Sequence, residues 1–134
     1  MSASRGLVMV MATMLLFGMS GSVAAEDPVA AAESAADAAA ASPEGKKYED
    51  EVGTTFGRDQ GKSIQGCARE VKRPDLSDFR VFVRVSAAGQ VVETLVKPST
   101  NLAACLQGKL RDWKVGAPPQ ADQWVSVHVR LQSK

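Results

Sequence analysis

Seven residues, Phe79 to Val85 (FRVFVRV), constrain this chain more than any other stretch. Successive side chains of a strand point to opposite faces. Phe79, Val81, Val83 and Val85 therefore fall on one side, and Arg80, Phe82, Arg84 and Ser86 on the other. Alternation of this kind predicts a half-buried strand, with one face for a core and one for water. The following SAAGQ (86–90) predicts a turn, with Gly89 free to take positive φ. Val91 to Lys97 predicts a second strand, ended by Pro98. Its phase is ambiguous: Val91, Glu93 and Leu95 share one face, Val92, Thr94 and Val96 the other. Either a bulge shifts the register or the strand is covered on both sides.

On either side of this hairpin the periodicity changes to helical. Ile64, Cys67, Ala68 and Val71 recur at one-face helical spacing within Thr55–Arg73. Asp59 or Ser63 is a candidate cap, Gly57, Gly61 and Gly66 weaken the start, and Pro74 ends the helix. A second helix is predicted over Asn101–Trp113, with Asn101 as N-cap and Leu102, Cys105, Leu106, Leu110 and Trp113 as its apolar stripe. The last strand is Gln123–Leu131: Val125, Val127, Val129 and Leu131 face the core, while Trp124, Ser126, His128 and Arg130 face out. The order is helix–strand–strand–helix–strand. A right-handed crossover places the last strand beside the first. The expected fold is α+β, a three-stranded sheet of order 2-1-3 with both helices on one face.

The first 25 residues read as a signal peptide. Arg5 is the positive start, Leu7–Phe17 the apolar region, and Val23 and Ala25 the small residues of a cleavage site. An uncleaved membrane anchor is the alternative, since residues 6–25 carry no charge. Residues 26–47 are Ala-rich and acidic, with nothing larger than Val29 to bury before the lysine pair, and read as a disordered linker. Residues 48–134 are then the folded domain. Residues 26–51 carry a net charge of −6 and residues 52–134 of +6. A basic domain on an acidic leash suits an anionic surface, or its own tail.

Cys67 and Cys105 lie on the apolar stripes of the two helices. An exported chain with two cysteines favours a disulfide between them. A redox or metal site is the alternative. No C-x-x-C is present, and His128 belongs to the opposite sheet face.

The pattern resembles the C-terminal domain of TonB-type energy transducers and related paired-cysteine domains. The resemblance runs from about Ile64 to Leu131. It is carried by VFVRVSAAGQVVETLVKPST (81–100), CLQGKLRDWKV (105–115) and WVSVHVRL (124–131), with Arg111 and Trp113 where the family has a basic residue and Trp at a helix end. It implies the same fold, and binding in which the closing strand accepts an extended peptide by strand addition. Three features depart from the family. The aromatic-Pro pair before the first helix is absent, the long Pro-rich spacer is replaced by a short Ala-rich one, and the anchor reads as cleavable.

The expected function is a periplasmic, non-catalytic, TonB-like domain that binds an envelope protein or extended peptide in a transport context. Arg80, Phe82, Arg84, Trp124, Ser126, His128 and Arg130 form the candidate protein-binding face. A plainer role for Phe82 and Trp124 is a cross-strand pair that stabilises the sheet. No Ser-His-Asp set, paired acids, phosphate loop or metal-ligand spacing appears, so no catalytic residue, metal or cofactor is assigned. Basic residues are spread out, with Arg69, Lys72 and Arg73 the one tight cluster, and no nucleic-acid partner is expected. Two other roles stay open: a small disulfide-stabilised envelope structural or inhibitor protein, and an inner-membrane-anchored energy transducer if the N-terminal segment is retained. N-terminal sequencing of the mature protein should begin at Glu26; a protein beginning at Met1 in the membrane fraction would contradict export by cleavage.

Overall fold

A computed structural model of the chain describes residues 27–131. The signal peptide expected over residues 1–25 lies outside the described residues. The elements in order are α1 (Pro28–Ala40), α2 (Pro43–Glu70), β1 (Phe79–Val85), β2 (Val91–Lys97), α3 (Asn101–Lys109) and β3 (Gln123–Val129). Among the described residues no helix is long and apolar enough to cross a membrane.

The α+β architecture and the β2-β1-β3 sheet order are as expected. Both outer strands pair antiparallel with β1. The valines of β1 and β3 face α2 and α3, where Val52, Phe56, Leu102, Leu106 and Leu110 complete the main core. At β2 the bulge and the double coverage both occur. The register slips at Arg84/Val85, so that Arg84 opposes Glu93 while Val85 opposes Val91. The residue skipped, Val92, is 48% exposed. Val91 and Val96 then both reach the main core, and Leu95 packs on the other face. Gly89 takes φ +82°, and a Cβ there would collide with the Val115 carbonyl.

The linker expected at residues 26–47 is corrected: it holds helix α1 and the start of α2. The folded unit therefore begins near Pro28, not Tyr48. Asp27 accepts a hydrogen bond from the Val29 backbone N–H at 3.1 Å, and Pro28 opens the helix. The segment has little to bury, but the sheet supplies the bulk. Ala32 and Ala36 close over Phe82, with Val29, Leu95 and Trp124 around them. Alanine suits this because its small side chain lets the helix axis approach the sheet. A third helix thus covers the face expected to be open to water.

Helix α2 is also longer than expected. It is capped by Ser42, whose hydroxyl accepts from Gly45 N–H at 3.0 Å; neither Asp59 nor Ser63 serves. Tyr48, Val52 and Phe56, four residues apart, continue the stripe backward through the glycines. Packing of that face outweighs the glycine penalty of about 1 kcal/mol each. Between α1 and α2 only Ala41 and Ser42 intervene. A Cβ at Gly45 would collide with the Ala39 carbonyl, so glycine permits this tight corner. The cap of α3 is Thr100, not Asn101. Asn101 instead ties down the preceding loop, accepting from Asp75 N–H at 2.9 Å and donating to the Lys72 and Arg73 carbonyls.

Cys67 of α2 and Cys105 of α3 form a disulfide with Cα atoms 5.8 Å apart. It joins residues 38 apart in sequence and pins both helices over the same sheet face. Closing a loop of this size contributes about 3–4 kcal/mol by restricting the unfolded chain. Guanidinium titrations of oxidised protein and the Cys67→Ser/Cys105→Ser variant should differ in unfolding free energy by about that amount; equal midpoints would show that the bond contributes nothing.

Candidate protein-binding surface

Strand register assembles the outer sheet face from three strands. Arg80 lies between Lys97 and His128, Phe82 between Leu95 and Ser126, and Arg84 between Glu93 and Trp124. Six of the seven expected binding residues are thereby brought onto one face; Arg130 lies just past the end of β3. Phe82 opposes Ser126, so Phe82 and Trp124 are diagonal neighbours and not the direct cross-strand pair expected. Both belong to the small cluster beneath α1.

This face is not an open platform. Phe82 is fully buried by α1. Arg80, Arg84, Trp124 and Ser126 are half-buried, and His128 and Arg130 remain exposed. The cations are also neutralised internally. Arg80 Nη1 pairs with Glu33 Oε1 of α1 at 3.1 Å, and Lys97 Nζ reaches Glu33 Oε2 at 3.4 Å. Arg80 Nη2 donates to Ser126 Oγ at 2.9 Å, and its guanidinium sits 5.0 Å from the Phe82 ring centre. Arg84 bridges Glu93 at 3.2 Å and Asp122 at 3.4 Å. The acidic leash therefore lies on the chain's own basic sheet.

The edge of β3 is a different surface. In an antiparallel ladder, alternate residues direct their N–H and C=O toward the neighbouring strand. The Thr94 carbonyl accepts from Gln107 Nε2 at 2.6 Å, so Thr94 points away from β1. Its partner Val83 must then point toward β3, and Val125, Val127 and Val129 bond back to β1. Leu131, in phase with them, donates its N–H inward to Asp78 at 3.1 Å. The backbone groups of Trp124, Ser126 and His128 consequently point out from the sheet. Among the described residues no strand pairs with them.

A groove of about 1010 Å³ follows this edge. Residues Ser126 to Arg130 form one bank, and Glu49, Asp50, Gly53 and Gly57 of α2 the other. A Cβ at Gly53 or Gly57 would meet nothing within 4 Å, so these glycines leave the bank low. The α2 residues were absent from the expected site. Their signal was Gly53, Gly57 and Gly61 at helical spacing, a pattern that also reads as helix weakness. The other sheet edge, β2, is fenced by Gln107 and α3.

Two bonds hold α2 against the loop that follows α3. Tyr48 donates its hydroxyl to the Gly116 carbonyl at 2.6 Å, and Trp113 donates its indole N–H to Asp59 at 3.2 Å. Phe56 meets Trp113 edge to face, with ring centres 5.7 Å apart. The Trp113 and Arg58 hydrogen bonds hold the Asp59 carboxyl below its usual range. Among the described residues no group of three His, Cys, Asp or Glu is placed to hold a metal ion, and both cysteines are consumed by the disulfide.

No protein-family model matches the chain, and neither the curated proteins nor the solved structures include a significant match to it.

Burial, with help from the Glu51 charge, pushes the Tyr48 hydroxyl up to about 12 from its ordinary 10. The unfolded chain ionises first, so the stability held below pH 10 should fall as pH rises through about 12. Denaturation across this range should show that fall in the wild type and a smaller one in Tyr48→Phe; identical alkaline slopes would refute the assignment.

Proposed function

We propose that this protein is a non-catalytic binding domain of the periplasm, similar to the TonB C-terminal domain, that captures an extended segment of an envelope protein by adding it to the edge of β3. The observation that carries this reading is the β3 edge, which no strand covers among the described residues, set in a groove. Three outward-directed residues, Trp124, Ser126 and His128, offer N–H and C=O groups to an incoming strand. Backbone pairing supplies affinity, and alternate side chains of the guest supply specificity. One set would enter the groove beside Gly53 and Gly57. The other would lie near His128 and Arg130, where a guest carboxylate would find the Arg130 guanidinium.

Export fits the disulfide, since such bonds persist in oxidising compartments. An edge of this kind invites unwanted association unless it is guarded or used. Two charged residues, Glu49 and Asp50, stand on the opposite bank of the groove. A place in envelope transport rests on the resemblance in sequence pattern, and the short acidic segment before the sheet argues for an accessory role.

A proline at His128 removes one outward N–H while leaving the β1 ladder intact, because proline is tolerated on the free side of an edge strand. Bait carrying His128→Pro should lose about tenfold or more of the envelope partner retained by wild type, at 1.4 kcal/mol per tenfold. Gly57→Leu, which fills the groove, should do the same, whereas Gly57→Ala should gain up to about 1 kcal/mol of stability and still bind. Full retention by folded His128→Pro and Gly57→Leu would exclude edge addition.

A further inference from the structure

We infer that the outer sheet face is a docking site for an acidic, small-residue helix of a partner protein, held shut in the resting molecule by α1 as an exchangeable cover.

Three features of α1 read as a bound ligand. Ala32 and Ala36, four residues apart, sit over Phe82. Glu33 spans Arg80 and Lys97 on two neighbouring strands. Val29 completes the contact beside Leu95 and Trp124. The recognised pattern is thus an apolar residue, then Ala-Glu-x-x-Ala, on one helix face. The complementary receptor is an aromatic pair, a leucine and two cations.

The cover is built to exchange. A helix of 13 residues is marginal in water by itself. Only Ala32 and Ala36 are fully buried along it, and its two ion pairs are solvent-accessible, with Lys97 59% exposed. Such an element opens at lower free energy than the disulfide-pinned core. What it uncovers is an apolar patch of Phe82, Leu95 and Trp124 flanked by Arg80 and Lys97, the two cations that Glu33 engages. A surface of that composition marks an interaction site, and its charge selects an acidic partner. This site uses side chains of the outer face, whereas the β3 edge uses outward backbone groups of the strand beside it.

A fluorescent peptide of residues 27–42 serves as the probe, with full-length protein as receptor. Ala36→Arg, which places a guanidinium where Ala36 meets Phe82, releases the cover; Gly45→Val, which breaks the α1–α2 corner, is a second route. Hydrogen exchange along α1 reports release. Released variants should bind the peptide at least about tenfold tighter than wild type, whose face is occupied, one tenfold step being 1.4 kcal/mol. Adding Arg80→Glu to the released variant should weaken binding, and a peptide with Glu33→Lys should restore it. A peptide with Ala32→Pro, equal in charge but unable to stay helical, should not bind. Failure of both released variants to bind, with α1 amides unprotected, would overturn the proposal. So would equal binding by wild type and released protein, or by the proline peptide.

Discussion

Phe82 is fully buried on the face of the sheet opposite the main core, and the burial of β1 on both sides organises the molecule. The valines of β1 anchor the core beneath α2 and α3. Phe82 requires cover of its own, because leaving a large aromatic side chain exposed forgoes about 1.5–3 kcal/mol. Helix α1 provides that cover, and the two-residue corner at Ala41–Ser42 lets the chain pass from one face of the sheet to the other. Tightness at that corner depends on Gly45, and closeness over the sheet depends on alanines.

Much of this was legible in the sequence. The alternation of Phe79–Val85 located the central strand, Gly89 the turn, and the valines of β3 the partner strand. Covalent pinning followed from two cysteines on two helical stripes. Helix α1 was missed for a physical reason. Its own residues carry almost no burial signal, and its stabilising partners, Phe82, Leu95 and Trp124, are distant in sequence. Local propensity favoured helix there, but its tertiary contact could not be read from the segment alone. The start of α2 was missed for the opposite reason: Gly57, Gly61 and Gly66 argued for a weak beginning and masked the stripe that runs back through Phe56, Val52 and Tyr48.

The candidate site changed in kind. Side-chain pattern placed Arg80, Phe82, Arg84, Trp124, Ser126 and His128 on one face, and the register does bring them together. Pattern alone could not show that Glu33 already satisfies Arg80 and Lys97. Nor could it show the α2 bank of the β3 groove, which exists only after the helix and strand are packed. The acidic and basic halves of the chain find each other within one molecule, so the charge asymmetry is first an intramolecular contact. Beside it, the outward backbone groups of β3 meet no strand among the described residues.

Contact between Ala36 and Phe82 is the point on which the covered-sheet account stands. Nuclear Overhauser spectroscopy of the oxidised protein in solution measures it directly. The account predicts cross-peaks between the methyl groups of Ala32 and Ala36 and the Phe82 ring, with helical shifts along Pro28–Ala40. Random-coil shifts across that segment, with no cross-peak to Phe82, would contradict it.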